Sequence, residues 1–218
     1  DKPYENQVLV IKGQEQKSAL GKYRSGKILP IKKYENVFGL QPRNKEQQFA
    51  LDLLMDDSIK LVTLSGAAGV GKTLLAIAAG LEQLKGVGGQ GKYNKLIVTR
   101  PIMPVGKDLG FLPGSKEEKL SPWVAPIRDN LEVLLGGKGT KSRKLKKDLA
   151  QDRDETLGND PYLSLLQEKG LIEVEAMTYI RGRSIPDAYM LIDESQNLSL
   201  HELKTILTRV GDNTKIVL

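Results

Sequence analysis

The 218-residue chain contains no cysteine. Disulfides, thiolate zinc sites and cysteine nucleophiles are thereby excluded, and the absence fits a cytoplasmic protein, the expected location. Histidine occurs once, at His201 in the helical string SLHELK, where it reads as exposed and without chemistry. Aromatic residues make up only 5%, so each is scarce core material. No apolar run approaches the roughly 20 residues that span a bilayer, so no membrane partner is expected. The opening DKPYENQVLV has neither an initiator Met nor a basic-then-apolar leader and reads as the start of a cut or mid-sequence piece. What remains is ordinary for a globular chain: 28% charged and 39% hydrophobic residues. The length suits one α/β domain with a small appendage and is too short for two full motor domains.

Charge is unevenly placed. The formal net charge is +6, and the stretch KGTKSRKLKK, Lys138 to Lys147, carries six basic residues and no acidic one, so the rest of the chain is neutral. Such a tract suits a polyanion partner; the alternative is a solvated loop, which the neighbouring Gly136, Gly137 and Gly139 would also suit.

The stretch LVTLSGAAGVGKTLLAIAAG, Leu61 to Gly80, reads as strand, tight loop and helix. Its loop fills all four positions of G-x-x-x-x-G-K-[ST] at Gly66, Gly71, Lys72 and Thr73. In that motif, backbone N–H groups turned inward by glycines and the positive end of the following helix cradle phosphates. Gly66, Ala67, Ala68, Gly69, Val70, Gly71, Lys72, Thr73 and Leu74 are therefore the candidate nucleotide-binding residues. Lys72 would reach the outer phosphates and Thr73 would ligate Mg²⁺.

The remaining chain alternates strands and helices. Residues 1–40 form a lead-in with one or two short strands; residues 41–218 form the nucleotide-binding domain. QPRNKEQQFALDLLMDD reads as a helix capped by Asn44, with Phe49, Ala50, Leu53 and Leu54 as its apolar stripe. KLIVTRP, LIEVEAM, AYMLIDES and TKIVL read as strands. PWVAPIRDNLEVLLGG reads as a helix that starts at Pro122, and SLHELKTILTRVG as one closed by Gly211. This order implies an α/β fold with a mainly parallel sheet and helices on both faces.

Tyr189 to Ile192 form an apolar strand that ends in Asp193 and Glu194. In parallel sheets ligands gather at the carboxyl ends of strands. Asp193 there would hold Mg²⁺ directly or through water, opposite Thr73, and Glu194 would orient and deprotonate an attacking water. The alternative is a solvated acidic pair capping a turn.

The strings QPRNKEQQFALDLL, SGAAGVGKTLLA, VTRPIMPVGKDLGFLPG, YIRGRSIPDAYMLIDESQN and LTRVGDNTK follow one another in an order that resembles the PhoH-like ATPase family, from about Gly39 to the end. The resemblance implies a P-loop NTPase with a superfamily 1 helicase-like core, ATP and Mg²⁺ as cofactors, and hydrolysis coupled to single-stranded RNA. It places Gln47 at the adenine edge and Gln196 at a γ-phosphate or RNA-coupling position. It makes Lys72, Glu194 and Gln196 catalytic and Asp193 a metal ligand. The lead-in resembles the connector that joins a PIN ribonuclease domain to a PhoH domain. Ser195 stands where the family usually has Ala, a small-for-small change. The family continues after its last strand with a γ-phosphate-sensing loop, and this chain ends at Leu218; weak hydrolysis would follow from its loss.

Several basic and aromatic residues remain. Arg181 and Arg183 flank Gly182 and read as a finger for a neighbouring subunit or as an RNA clamp, the alternative being a loop anchor. Arg100, in TRP, reads as a nucleic-acid backbone contact or as a surface ion pair. Arg209 lies at a helix end, where a cation is favoured in any case. Phe111 and Trp123 are read as core in preference to base-stacking, and Met55, Met103, Met177 and Met190 as packing. One motor-like domain cannot walk alone, so a homo-oligomer, ring-shaped or otherwise, or a further domain is expected. The competing function is an ATP-gated assembly module without helicase activity.

Overall fold

The computed structural model describes residues 3–13, 17–87, 91–101, 116–136, 161–176 and 184–218. Three strands open the chain, one more than the sequence suggested: β1 (Val8–Lys12), β2 (Ser18–Arg24) and β3 (Lys27–Pro30), antiparallel in that order. The third follows from Ser25-Gly26, both at positive φ (48° and 82°), a two-residue turn whose twist matches a hairpin. Its signal was that Ser-Gly pair. Cross-strand register puts Leu9, Gly21, Tyr23, Ile28 and Pro30 on one face. A Cβ on Gly21 would lie 2.7 Å from Ile28 Cγ2 and 3.3 Å from Ile11 Cδ1, so the two isoleucines close over that glycine. The opposite face carries Lys22 and Arg24.

Helix α1 (Lys45–Met55) begins where expected, the Asn44 side chain accepting the Gln47 N–H at 2.8 Å. Of the expected stripe, Leu54 is buried and Ala50 and Leu53 pack partly buried against the core, but Phe49 does not join it, and Leu51, Asp52 and Met55 are buried in addition. The reason lies in the lead-in sheet. Lys22 Nζ sits 2.7 Å from Asp52 Oδ2 and 2.9 Å from Asp56 Oδ2, with Lys22 and Asp52 both nearly inaccessible, so a polar pair turns one side of α1 inward. Although burial opposes it, hydrogen bonds from Ser58 and Lys22 hold the Asp56 carboxyl well below the usual carboxylate range.

The main sheet contains β4 (Leu61–Val62), β5 (Lys95–Arg100), β6 (Ile172–Ala176), β7 (Ala188–Ile192) and β8 (Lys215–Val217) in the order β4-β8-β7-β5-β6, every pairing parallel. Helices α2 (Lys72–Glu82), α3 (Lys116–Gly136), α4 (Pro161–Glu168) and α5 (Leu200–Leu207) connect them. Alternation along β5 and β7 divides the core. Leu96, Val98, Tyr189 and Leu191 pack with α1, α2, α3 and α4, whereas Ile97, Met190 and Ile192 pack with Ile206 of α5. Helices thus cover both faces, as the sequence implied. Helix α2 approaches so closely that a Cβ on Gly80 would lie 2.9 Å from Leu96 and Tyr189 side-chain atoms.

Two helix boundaries differ from expectation. Helix α3 starts at Lys116, so Pro122 and Pro126 are interior and not initial. Helix α5 ends at Leu207, before Gly211. Gly211 serves a backbone crossing instead: its N–H donates to Ile185 O at 2.9 Å, and a Cβ there would lie 3.0 Å from Pro186 backbone atoms. Met55 and Met190 are core residues, as read; Met103, Met177 and Phe111 lie outside the described residues, as does the Trp123 side chain.

Lys215 opens β8 fully buried, its Nζ donating to Leu53 O at 2.8 Å and Asp56 O at 2.9 Å at the carboxyl end of α1. Burial lowers its pKa from 10.5 to about 7, and a neutral amine has two N–H groups for those two carbonyls. Between pH 7 and 10.5 the unfolded chain holds a proton that the folded chain lacks, so this group makes stability rise with pH. Burial of the Tyr34 and Tyr93 phenols, pushed up to about 12, acts oppositely above pH 10, where the unfolded chain ionises first. Urea denaturation should therefore show stability climbing from pH 7 toward pH 10 and falling beyond, and Lys215→Met should remove the climb, on the order of 1.4 kcal/mol per unit of pKa shift. A Lys215→Met variant that keeps the climb would assign it to other groups.

Candidate nucleotide site

Because the strands of the main sheet run parallel, their carboxyl ends share one edge. The phosphate loop leaves β4 there, Arg100 ends β5 there, and Asp193 and Glu194 follow β7 there. Strand β8 separates β4 from β7, a gap of about 10 Å at ordinary strand spacing. The first turn of α2 bridges it: Thr73 Oγ1 donates to Asp193 Oδ1 at 2.8 Å, joining residues 120 positions apart.

Among the described residues, no amide N–H from Gly66 to Gly71 has a hydrogen-bond acceptor within the chain, and the loop from Gly66 to Val70 is exposed. Gly69 and Gly71 hold φ of 76° and 88°, where a side chain would be strained; Gly66 does not need that freedom. Gly71 is also the N-cap of α2, so the unpaired N–H groups lead into a helix start and its positive dipole end. Lys72 Nζ donates to Gly66 O at 2.7 Å and Ala67 O at 2.9 Å, which places an ammonium within the loop. Leu74 is half-buried in the first turn of α2.

The donor set suits Mg²⁺. Thr73 and Asp193 offer hard oxygens 2.8 Å apart, close to the ~2.9 Å edge of an octahedron with Mg–O near 2.0–2.1 Å. Among the described residues no group of three or more His, Asp or Glu forms a self-sufficient cage. Mg²⁺ is ordinarily held through one or two carboxylates together with a nucleotide's phosphates.

Glu194 has left-handed backbone (φ 53°), which costs a non-glycine residue on the order of 1 kcal/mol and marks the turn as constrained by its surroundings. Its carboxylate faces two neighbours: Arg100 Nη2 lies 3.4 Å from Oε1, and Gln196 Nε2 donates to Oε2. Arg100 is thus an ion-pair residue of the site itself, an arrangement made by the β5–β7 register and invisible in the string TRP. Gln47 is brought to the phosphate loop, donating through Nε2 to Val70 O at 3.2 Å and accepting Arg43 N–H at 2.7 Å.

Arg181, Arg183 and the basic tract Lys138 to Lys147 lie outside the described residues. Arg209 is half-buried beyond α5, and His201 is exposed on it. The lysine–aspartate network of Lys22, Asp52 and Asp56 was not foreseen, since nothing local pairs residues 30 or more positions apart.

Residues 39–218 match the family model described as PhoH-like protein. Protein PhoH2 of Bacillus subtilis is 53% identical over 184 residues, 84% of this chain and 37% of that relative. Protein PhoH2 of Mycolicibacterium smegmatis is 37% identical over 202 residues, 92% of this chain and 40% of the relative. A PhoH-like protein of Bacillus subtilis is 35% identical over 153 residues, 70% of this chain and 40% of the relative. The chain spans about two fifths of the length of these curated relatives. Among the described residues no helix is long and apolar enough to cross a membrane. With a phosphate loop hydrogen-bonded to an acidic strand end and matches of this extent, the chain belongs to the PhoH-like protein family, whose members are generally ATP-binding proteins.

Proposed function

We propose that the protein is a Mg²⁺-dependent ATPase with a superfamily 1 helicase-like core whose turnover is coupled to single-stranded RNA. The observation that carries the ATPase half is the 2.8 Å contact between Thr73 and Asp193, which unites a phosphate cradle with a carboxylate at one strand edge. Gly66 to Leu74 bind the phosphates through N–H groups and the α2 dipole. Lys72 exchanges its loop carbonyls for phosphate oxygens. Thr73 and Asp193 would hold the metal, which would supply charge neutralisation to the reacting phosphate when bound. Glu194 orients a water and accepts its proton at a carboxylate oxygen; Gln196, bonded to Glu194, steadies it and reports on the γ-phosphate side. Gln47, anchored beside Val70, supports the helicase-like reading, because that reading needs an amide next to the loop for the adenine edge.

Arg181 and Arg183 take the role of a trans-acting finger or RNA clamp in this reading, in a homo-oligomer in the cytoplasm. The three-stranded lead-in, packed on α1 through Lys22, joins the ATPase to a further domain, for which a ribonuclease is the proposed kind. An ATP-gated assembly module is the second reading. The outward face of the lead-in favours it, since Ile11 and Ile28 are 43% and 50% exposed side by side.

Steady-state ATP turnover with and without oligouridylate, in Mg²⁺ and in EDTA, separates the readings. Turnover should require Mg²⁺ and rise with RNA. Turnover indifferent to RNA, with a molecular mass that changes on adding ATP, would establish the assembly module instead. Nucleotide affinity indifferent to Mg²⁺ would remove Thr73 and Asp193 from the metal role.

A further inference from the structure

Thr99 pairs in register with Ile192, and its carbonyl accepts the Asp193 N–H at 2.9 Å. Arg100 is the last residue of β5 and Glu194 lies two residues beyond the end of β7, and their side chains meet. Their 3.4 Å separation is that of an ion pair without a hydrogen bond, and Glu194 is the guanidinium's only charged or hydrogen-bonding partner among the described residues. A guanidinium presents five N–H donors in a planar fork, and none of them makes a hydrogen bond among the described residues. The Arg100 side chain is 25% accessible and that of Glu194 38%, which leaves the pair open to a ligand. An anion with two geminal oxygens can take two parallel N–H bonds from the fork, as the carboxylate at 3.4 Å does not. A phosphodiester is such an anion, and in a strand it repeats, so the fork can be engaged in any sequence context.

Glu194 is meanwhile held on both sides. Oε1 faces Arg100, Oε2 accepts from Gln196, and the left-handed backbone limits where the carboxylate can point. With Oε1 facing Arg100 and Oε2 accepting from Gln196, each carboxylate oxygen already has a partner in this arrangement.

We infer that Arg100 is a positioning residue that holds Glu194 in a resting arrangement, and that the phosphodiester backbone of a single-stranded nucleic acid competes for Arg100 and thereby releases Glu194. The inference rests on the ATPase reading for its consequence in turnover, but its core is a competition that exists without nucleotide. Competition is reciprocal: whatever the phosphodiester does to the ion pair, loss of the ion pair must do to phosphodiester binding.

The test measures binding of fluorescein-labelled oligouridylate by anisotropy, without nucleotide, across a salt series. Glu194→Gln frees the guanidinium and should bind about two- to fivefold more tightly, the range that a partly exposed ion pair supports. Arg100→Gln should bind more weakly, with a salt slope reduced by about 0.7 for the lost contact. The double variant should match Arg100→Gln, because the gain from Glu194→Gln acts only through Arg100. A Glu194→Gln protein that binds no more tightly than wild type overturns the inference, as does a double variant that keeps the gain or a wild-type protein that does not bind the oligonucleotide. If Arg100→Gln fails to fold, shown by its circular dichroism melt, the Glu194→Gln comparison decides alone. In turnover at saturating Mg·ATP, Arg100→Gln should be faster than wild type without RNA and unresponsive to added RNA. A slower RNA-free rate at unchanged nucleotide affinity would make Arg100 a supporting group of the reaction and overturn the resting arrangement. Failure of the ATPase reading shows separately, as absent Mg²⁺-dependent nucleotide binding by wild type, and leaves the oligonucleotide comparison valid.

Discussion

Glu194→Gln should bind Mg·ATP with near wild-type affinity and turn it over about 10²- to 10⁴-fold more slowly, the span that a positioned general base contributes. The substitution keeps the size of the side chain and one carbonyl oxygen to accept from Gln196, so the turn after β7 retains its support. It removes the negative charge and the lone pairs of the second oxygen, with which a water's proton would be accepted. Asp193, not Glu194, makes the contact to Thr73, so the metal-side geometry is untouched. Affinity and rate therefore separate cleanly. Isothermal titration with a slowly hydrolysed ATP analogue, together with a phosphate-release assay, reads both. Equal losses in binding and turnover would identify Glu194 as a structural carboxylate, consistent with its strained backbone alone.

Lys72→Ala should lower both quantities. Its Nζ is the cation inside the loop, and in the protein it neutralises two carbonyl oxygens, Gly66 O and Ala67 O, that otherwise point negative dipole ends at an incoming phosphate. Hydrogen bonds to charged groups contribute about 1.5–3 kcal/mol each, so loss of the ammonium should weaken ATP about 10- to 150-fold. Turnover at saturating ATP should fall to background because the same charge is aimed where negative charge spreads in the reaction. Lys72→Arg is the informative companion: a planar fork replaces a compact charge, so binding should recover more than turnover does. The stability of α2 is a built-in control, since Lys72 is its first residue and the N-cap is Gly71. A Lys72→Ala protein with full ATP affinity would show that the loop amides alone carry the nucleotide.

The phosphate loop was legible without a structure because it is local. A short apolar strand, glycines at Gly69 and Gly71 where the backbone needs positive φ, and an Ala/Leu-rich helix are specified within 20 consecutive residues. The alternating strands and helices, and hence the parallel sheet with two covered faces, were legible for the same reason: period and length are properties of contiguous sequence. The Asn44 cap belongs with them, its partner being three residues away.

Where the readings departed, a distant contact had decided. The buried face of α1 turned toward Asp52 because Lys22, on another sheet, meets it. Gly211, placed to end a helix, instead lets the chain cross Pro186. Lys215, read only as part of the last strand, is buried because the end of α1 supplies two carbonyls to it. Sequence alone determined which groups are candidates for nucleotide chemistry: a glycine loop, a lysine, a threonine and an acidic pair. The pairing of Thr73 with Asp193 was expected from the two motifs and is found at 2.8 Å, whereas only the tertiary structure decided that Gln47 reaches Val70 and that Arg100 faces Glu194. Those contacts are set by strand order and parallel register in the main sheet, and by how α1 packs beside the loop. Packing of apolar faces from the whole chain fixes these relations, and no short segment of it encodes them.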